Sequence, residues 1–220
     1  MLRRLYLLLA AGFVLLAASG AQARSYLVDY HGDSTVWGFA SGSNGLRVAR
    51  PAPQVFAESL APYARVEVRN RGVNGGTACA LLKGGEQRPS WEQQMRESKA
   101  DFVILNHGIN DQWQYDLPTY RDCLRQLARV AKSHAKQVVF ETPNPTRDSG
   151  AEGLDRYVEA MREVARQEGV AVIDQYVYLT GLLKGRNPTV FAPDGLHPAD
   201  SVYVLKGTFA AQAFRRLFRL

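Results

Sequence analysis

The sequence predicts an α/β domain in which helices cover both faces of a parallel sheet, a three-layer α/β/α sandwich. Short apolar segments alternate along the chain with longer amphipathic ones, and this alternation is typical of parallel strands joined by crossover helices. The chain has 220 residues, of which 46% are hydrophobic and 22% are charged. That size and composition suit one globular domain rather than two.

Five short apolar segments are predicted to be strands. In the second of them, Val66 and Val68 alternate with charged residues, as in a half-buried strand. Unbroken apolar sequence in the third, between residues 101 and 105, indicates a strand that is buried on both faces. The predicted strands are 25–30, 65–69, 101–105, 137–141 and 170–174.

Amphipathic segments between and after the strands are predicted to be helices. Val55, Phe56 and Leu60 are spaced to share one face of the first helix, and Gly169 ends the fourth. The predicted helices are 53–63, 77–82, 117–132, 153–168 and 199–218.

The first 23 residues have the three-part layout of a bacterial secretory signal peptide. Two arginines precede the apolar run 5–19, and small residues, Ala21 and Ala23, occupy the −3 and −1 positions of a cleavage site. The run is shorter than the roughly twenty residues of a membrane span, so cleavage is favoured over a retained anchor. We therefore expect a signal peptide over 1–23, one domain over 24–220, and a secreted or periplasmic location.

The net charge of +6 comes from 27 basic and 21 acidic residues. Cleavage after Ala23 would remove two arginines, which leaves 27 − 2 = 25 basic residues and a net charge of 25 − 21 = +4. The tightest basic cluster, at Arg215, Arg216 and Arg219, is typical of a solvated helix surface. The composition therefore indicates neither a nucleic-acid partner nor a stable membrane span after cleavage.

Polar motifs follow the predicted strands directly. Because the carboxyl ends of parallel strands meet at one edge of the sheet, these motifs are expected to share one crevice. They are Gly32-Asp33-Ser34-Thr35, Gly72-Val73-Asn74-Gly75-Gly76-Thr77, Gly108-Ile109-Asn110-Asp111 and Asp194-Gly195-Leu196-His197-Pro198.

The residue types in these motifs point to acyl transfer through a serine. The Ser34 hydroxyl needs a base to become nucleophilic at neutral pH, and His197 is the candidate base. Asp194, three residues upstream, can bond the second imidazole nitrogen and fix its tautomer. The Ser34 N–H, the Gly75 N–H and the Asn110 amide are candidate donors to the oxyanion of a tetrahedral intermediate.

The four motifs together resemble those of the SGNH/GDSL hydrolases, whose name refers to the serine, glycine, asparagine and histidine. The resemblance extends from residue 25 to the final helix. It implies a flavodoxin-like five-stranded parallel sheet of order 2-1-3-4-5 and serine-dependent hydrolysis of esters or thioesters, with no metal and no other cofactor. Thr35 stands where the family usually has leucine, and Asn74-Gly75-Gly76-Thr77 departs from the usual second block, so the substrate stays open.

The leading hypothesis is an exported carboxylesterase or acylhydrolase that acts on a small-molecule, lipid or carbohydrate ester. One alternative keeps the serine, histidine and aspartate but acts as an O-acetyltransferase or O-acetyl esterase on cell-envelope polysaccharide. Another is a lysophospholipase or thioesterase. A non-catalytic binding protein on the same fold is the last, and the complete set of reactive residues argues against it.

A sheet of order 2-1-3-4-5 places the helices after the second and third strands on the same face. Cys79 lies in the first of these helices and Cys123 in the second. Since exported proteins form disulfides, we predict a bond between them.

The remaining candidates are aromatic residues and histidines beside the motifs. Two interpretations stay open for Trp37, Trp113 and Tyr115: contact with a sugar ring or acyl group, or packing of a loop rim. His31 and His107 adjoin the motifs without an orienting aspartate, so we interpret them as structural or pocket-lining, and His134 as a surface residue.

Overall fold

A computed structural model describes residues 25–85, 88–148 and 150–220. The predicted signal peptide, 1–23, lies outside the described residues. Within the described ranges, no helix has the length and apolar character that crossing a bilayer requires.

The centre of the molecule is a five-stranded parallel sheet of order β2-β1-β3-β4-β5. The predicted α/β fold class and strand order are therefore confirmed. The observed strands are β1 (Ser25–Gly32), β2 (Arg65–Gly72), β3 (Phe102–Asn106), β4 (Gln137–Glu141) and β5 (Ala171–Ile173). The first two are longer than predicted because they pair with each other up to Gly32 and Gly72, so their last residues belong to the predicted motifs.

Helices flank the sheet on both sides. They are α1 (Ser34–Trp37), α2 (Ala52–Leu60), α3 (Ala78–Lys83), α4 (Trp91–Glu97), α5 (Asp111–Gln114), α6 (Leu117–Ser133), α7 (Leu154–Glu168), α8 (Gln175–Leu183) and α9 (Asp200–Phe218), with a 3-10 turn over Pro188–Val190. Five of the helices match predicted ones within three residues at each end. The start of α6 illustrates why: the Asp116 side chain accepts from the Thr119 N–H at 2.9 Å and caps the helix.

Two apolar layers hold the helices to the sheet. On one face, α3, α4, α6 and α7 cover residues such as Val103 and Leu105. On the other face, α2 and α9 cover Val28 and Tyr30, with Phe214 of α9 packed edge-on against Phe102. Alternation along β1 sends its intervening polar residues to the α3 and α4 side.

A disulfide joins Cys79 of α3 to Cys123 of α6, as predicted. Both cysteines are buried in the apolar layer that these helices share. The bond fastens the segment after β2 to the helix that follows β3, so it stabilises the carboxyl end of the sheet.

Candidate active site

Ser34 is the first residue of α1 and lies at the carboxyl end of β1. The preceding residue, Asp33, caps the helix: its Oδ1 accepts from the N–H and the hydroxyl of Thr35, both at 2.8 Å. Only glycine fits at position 32, because a Cβ there would lie 2.3 Å from Val36 Cγ2 and 2.6 Å from the Asn106 carbonyl oxygen. The sharp passage from strand to helix thus fixes the direction of the Ser34 hydroxyl.

The structure brings Ser34, His197 and Asp194 into one hydrogen-bonded chain. His197 Nε2 lies 3.0 Å from Ser34 Oγ, and His197 Nδ1 lies 2.9 Å from Asp194 Oδ2. Ser34 and His197 are 163 positions apart in the sequence, whereas Asp194 and His197 are three positions apart. This is the arrangement in which a histidine can take a proton from a hydroxyl while a carboxylate fixes its tautomer.

The Asp194 carboxylate is held by more than its histidine. Its Oδ1 accepts from the N–H groups of Leu196 and His197 at 2.9 and 2.7 Å, and its Oδ2 also accepts from the Gly42 N–H at 3.2 Å. Burial raises the pKa of Asp194, but the hydrogen bonds to it outweigh this effect and lower the pKa to about 2. The group therefore stays ionised through the neutral range.

Phe39 forms part of the site although no sequence motif pointed to it. Its ring stacks on the His197 imidazole with the centroids 4.3 Å apart and the planes 27° apart. Hydrogen bonds hold its backbone, since its N–H donates to the Ser34 carbonyl at 2.9 Å and its carbonyl accepts from the Tyr203 hydroxyl at 2.8 Å. Phe39 therefore covers one face of the imidazole.

Gly75 and Asn110 follow the ends of β2 and β3, at the same edge of the sheet as Ser34. Gly75 has a φ of +73° within a turn closed by the bond from the Gly76 N–H to the Val73 carbonyl, and this conformation favours glycine. One hydrogen of the Asn110 amide is donated to the Gly76 carbonyl at 3.0 Å, which leaves its second hydrogen for a ligand. Among the described residues, the N–H groups of Ser34 and Gly75 have no protein acceptor.

Asp111 links the segment that follows β2 to the segment that follows β3. Its two carboxylate oxygens accept from the N–H groups of Ala78 and Gly108, each at 2.9 Å. Burial raises the pKa of this carboxyl to about 7, although both backbone bonds oppose the rise. The sequence singled out Asp111 as part of a motif without assigning this bridging role.

Comparison with known proteins agrees with this geometry. The model of the GDSL-like lipase/acylhydrolase family matches residues 30–205. The chain belongs to this family. The match spans all four motifs, so the resemblance to the SGNH/GDSL hydrolases is confirmed.

An acetylxylan esterase from Geobacillus stearothermophilus is 26% identical to this GDSL-family chain over 174 residues, with 72% of this chain and 75% of the relative covered. The crystal structure of Axe2, an acetylxylan esterase from the same organism, superimposes with a TM-score of 0.66 and 26% identity, covering 87% of this chain and 93% of that one. A catalytic mutant of Axe2, in which an aspartate is replaced by alanine, is also similar. Family and relative together show that this GDSL-family protein is an ester-hydrolysing enzyme.

More distant structures share the fold of this GDSL-family enzyme. The lipase/acylhydrolase from Enterococcus faecalis superimposes with a TM-score of 0.69 at 19% identity, covering 87% of this chain and 96% of that one.

The three aromatic candidates occupy different environments. Trp113 on α5 is 58% exposed, and its N–H donates to the Asn110 carbonyl at 3.2 Å. Trp37 is half-buried, with the Arg47 guanidinium 5.5 Å from its ring centroid. Tyr115 packs against the apolar layer of α6 and α7, and its carbonyl accepts from the Tyr157 hydroxyl, which is a structural role.

The other histidines divide as the sequence indicated. His134 ends α6 and pairs with Glu92 at the surface, 2.7 Å away. His31 and His107 are buried, and no ring nitrogen of either has a partner among the described residues. Burial lowers the pKa of both to about 3, so both are neutral at physiological pH. Over the described ranges, no three His, Cys, Asp or Glu side chains are grouped to hold a metal.

A buried lysine, which was not predicted from the sequence, lies behind the site. Lys206 of α9 donates to Asn144 Oδ1 at 2.7 Å, and the Asn144 amide donates to the Leu196 carbonyl at 3.3 Å. Burial lowers the Lys206 pKa to about 8, while Glu141 and Asp33 oppose this. The lysine thus supports the loop that carries Asp194 and His197 from within the core.

Proposed function

We propose that this esterase works through an acyl-enzyme on Ser34, with His197 as general base and Asp194 as its orienting carboxylate. The observation that carries the proposal is the chain of two hydrogen bonds, 3.0 and 2.9 Å long, that joins the three side chains. Ser34 Oγ attacks the acyl carbonyl and its proton passes to His197 Nε2. The protonated His197 then donates that proton to the leaving alkoxide.

Water completes the reaction. His197 removes a proton from the water, whose oxygen attacks the acyl carbon. The protonated His197 then returns that proton to Ser34 Oγ as the acyl–oxygen bond breaks, which releases the carboxylic acid and regenerates the Ser34 hydroxyl. In both halves the tetrahedral oxyanion accepts from the Ser34 N–H, the Gly75 N–H and the free hydrogen of the Asn110 amide. Among the described residues the two N–H groups have no acceptor and the Asn110 amide uses one of its two hydrogens, which supports this role, since preorganised donors need no rearrangement during the reaction.

Hydrolysis of p-nitrophenyl acetate tests this assignment. We expect Ser34→Ala and His197→Ala to lower kcat by at least about 10³-fold, and Asn110→Ala by about 10²- to 10³-fold. Ser133→Ala, an exposed hydroxyl at the end of α6, is the matched control with wild-type rates. Undiminished turnover in Ser34→Ala would contradict the assignment.

The acyl group that the relatives favour is acetyl, borne by a carbohydrate. Support comes from the acetylxylan esterase that is 26% identical to this chain and from the exposed Trp113, three residues after Asn110, since such rings stack on sugars. A series of p-nitrophenyl esters of increasing acyl length tests this: an optimum at acetyl is expected, and a steady rise towards long chains would favour a lipid substrate. Transfer to glycan rather than to water would appear as acetylated acceptor among the products.

Export through residues 1–23 is part of the proposal. The Cys79–Cys123 disulfide supports it, because such bonds persist in oxidising compartments. N-terminal sequencing of protein from the periplasmic or culture fraction of a bacterial host should begin at Arg24. An uncleaved chain in the cytoplasmic fraction would contradict export.

A further inference from the structure

A cavity of about 490 Å³ opens on the face of the edge strand β2, outside the Ser34 site. Arg69 and Arg71 project into it from β2, Arg88 lies on another wall, and His31 of β1 contributes from the inner side. The volume is within the range of small-ligand pockets. One carboxylate, that of Glu97, also lines the opening, so the lining side chains carry a net positive charge that favours an anion.

Asp29 neutralises only part of this positive charge. Its carboxylate receives two bonds from the Arg69 guanidinium, at 2.7 and 3.0 Å, and one from Ser98 at 2.6 Å. Arg71 is more distant, at 3.4 Å, and half-exposed. Arg69 is therefore held in place by Asp29, whereas Arg71 keeps most of its donors free.

Arg88 has no acceptor for its side chain among the described residues. Burial is the main cause that lowers the pKa of Arg88, and the positive charge of the neighbouring Arg71 lowers it further. An arrangement of this kind costs stability in the empty protein and is relieved when an anion binds between the two guanidinium groups.

His31 forms part of the inner wall of the cavity. The residue is 4% exposed, its ring lies edge-on to Trp91 at 4.9 Å, and both ring nitrogens are buried. The imidazole therefore shapes the wall without presenting a donor to a ligand, which leaves the guanidinium groups as the charged donors of the cavity.

The cavity adjoins the proposed oxyanion segment. Val73 and Arg88 line it and also line a second cavity of about 280 Å³, whose walls include Asn74, Gly75 and Gly76. The arginines therefore lie next to the segment that carries the Gly75 N–H, the donor proposed for the oxyanion of an ester at Ser34.

We propose that this cavity binds a carboxylate of an acidic glycan, so that the substrate is an acetyl ester of a uronate-bearing polysaccharide. The acetyl ester in this proposal rests on the proposed function, whereas the acidic group of the substrate rests on the cavity. Planar guanidinium groups match carboxylates in pairs of parallel hydrogen bonds. Apart from Val73 and Pro89, the side chains that line the cavity are polar or charged, which favours a sugar acid over a lipid chain.

Binding of trigalacturonate to the Ser34→Ala protein tests the cavity without requiring turnover. Titration calorimetry should show binding that weakens as salt rises from about 50 to about 500 mM, and weaker or no binding of neutral xylotriose. The double variant Arg71→Ala/Arg88→Ala should weaken trigalacturonate binding at least about tenfold. The pair Arg71→Lys/Arg88→Lys keeps the charge and should recover part of the affinity. Arg65→Ala, on the same strand and about 20 Å from Arg71, is the matched control with wild-type affinity.

Catalysis gives a second readout. The ratio of kcat/KM on acetylated oligogalacturonate to kcat/KM on acetylated xylo-oligosaccharide should fall at least about tenfold in the double variant, mainly through KM. Two results of the calorimetry would overturn the proposal. One is equal affinity for acidic and neutral oligosaccharides, and the other is an affinity of the double variant for trigalacturonate equal to that of the wild type. Binding to phosphatidylcholine vesicles with about one fifth phosphatidylglycerol, without binding of trigalacturonate, would overturn it in favour of a lipid surface. Loss of p-nitrophenyl acetate hydrolysis in the wild type would refute the proposed function alone, because the calorimetric result does not depend on turnover.

Discussion

His197 is held at two places, at Nδ1 by Asp194 and on one ring face by Phe39. Aromatic contacts contribute about 0.5–1.5 kcal/mol, and a cation over an aromatic face a similar amount. Because the imidazole becomes positively charged during the reaction, part of this energy is available only in the transition state. Phe39 is therefore a positioning residue for the general base.

Replacing Phe39 tests this role. We expect Phe39→Ala to lower kcat on p-nitrophenyl acetate by about 3- to 30-fold, because the ring contact is lost, with a smaller effect on KM. Phe39→Tyr keeps an aromatic face and should recover most of the rate. A rate in Phe39→Ala equal to wild type would show that the stacking has no part in catalysis.

Among individual residues, the sequence predicted those whose chemistry is distinctive and missed those that contribute through packing or backbone contacts. Ser34, Asp194 and His197 stand in recognisable blocks behind predicted strands. Phe39 and Gly42 do not, since their contacts join loops about 150 residues apart, as the bond from Gly42 to Asp194 does. The burial of Lys206 was not predicted because a lysine on an amphipathic helix is usually exposed to solvent.

Among the described elements, four helices were not predicted, α1, α4, α5 and α8, and for three of them the physical reason is plain. Gln175–Leu183 (α8) carries apolar residues around its whole circumference, so no face repeats with the period of a helix. Ser34–Trp37 (α1) and Asp111–Gln114 (α5) have four residues each, too few for any periodic signal. The strands were found more easily because four of them contain a short apolar run and β2 alternates valine with charged residues.

The disulfide acts at the scale of elements by joining α3 to α6. It closes a loop with a sequence separation of 44, for which the loss of chain entropy in the unfolded state corresponds to about 4 kcal/mol. We expect Cys79→Ser/Cys123→Ser to lower the free energy of urea unfolding by about 2–4 kcal/mol. Dithiothreitol should lower the stability of the wild type alone, and equal stability of the oxidised wild type and the double variant would contradict this prediction.

Across the whole molecule, the carboxyl end of the sheet gathers ionisable groups that are buried. Burial raises the pKa values of Asp33 and Glu141 and lowers that of Lys206 to about 8. Tyr30, Asn106 and Gln175 donate to Glu141 at 2.5–2.8 Å and compensate part of its desolvation. The parallel sheet could be predicted from the alternation of segments and its strand order from the family resemblance. The buried interior could not be predicted, because it depends on which side chains meet after the helices pack.

His107 gives this buried chemistry a measurable pH dependence. Its pKa is lowered by burial to about 3 in the folded protein, against an ordinary value near 6.5. Between those values the unfolded chain binds one more proton than the folded one, so the free energy of unfolding falls as the pH falls, by about 1.4 kcal/mol per pH unit. The stabilising effect is complete above about pH 6.5 and is lost as the pH approaches about 3.

The variant His107→Leu isolates this effect, because leucine fills similar space and does not titrate. As the pH falls from about 6 to about 4, we expect the unfolding free energy of the wild type to decrease by about 1.4 kcal/mol per pH unit relative to that of His107→Leu. Other groups that titrate in this range, such as Asp111 with a pKa near 7, affect both proteins alike and cancel in the difference. Urea unfolding at several pH values measures it. Parallel stability profiles for the two proteins would mean that His107 takes up its proton in the folded state as readily as in the unfolded chain, through solvent or a partner that reaches its ring.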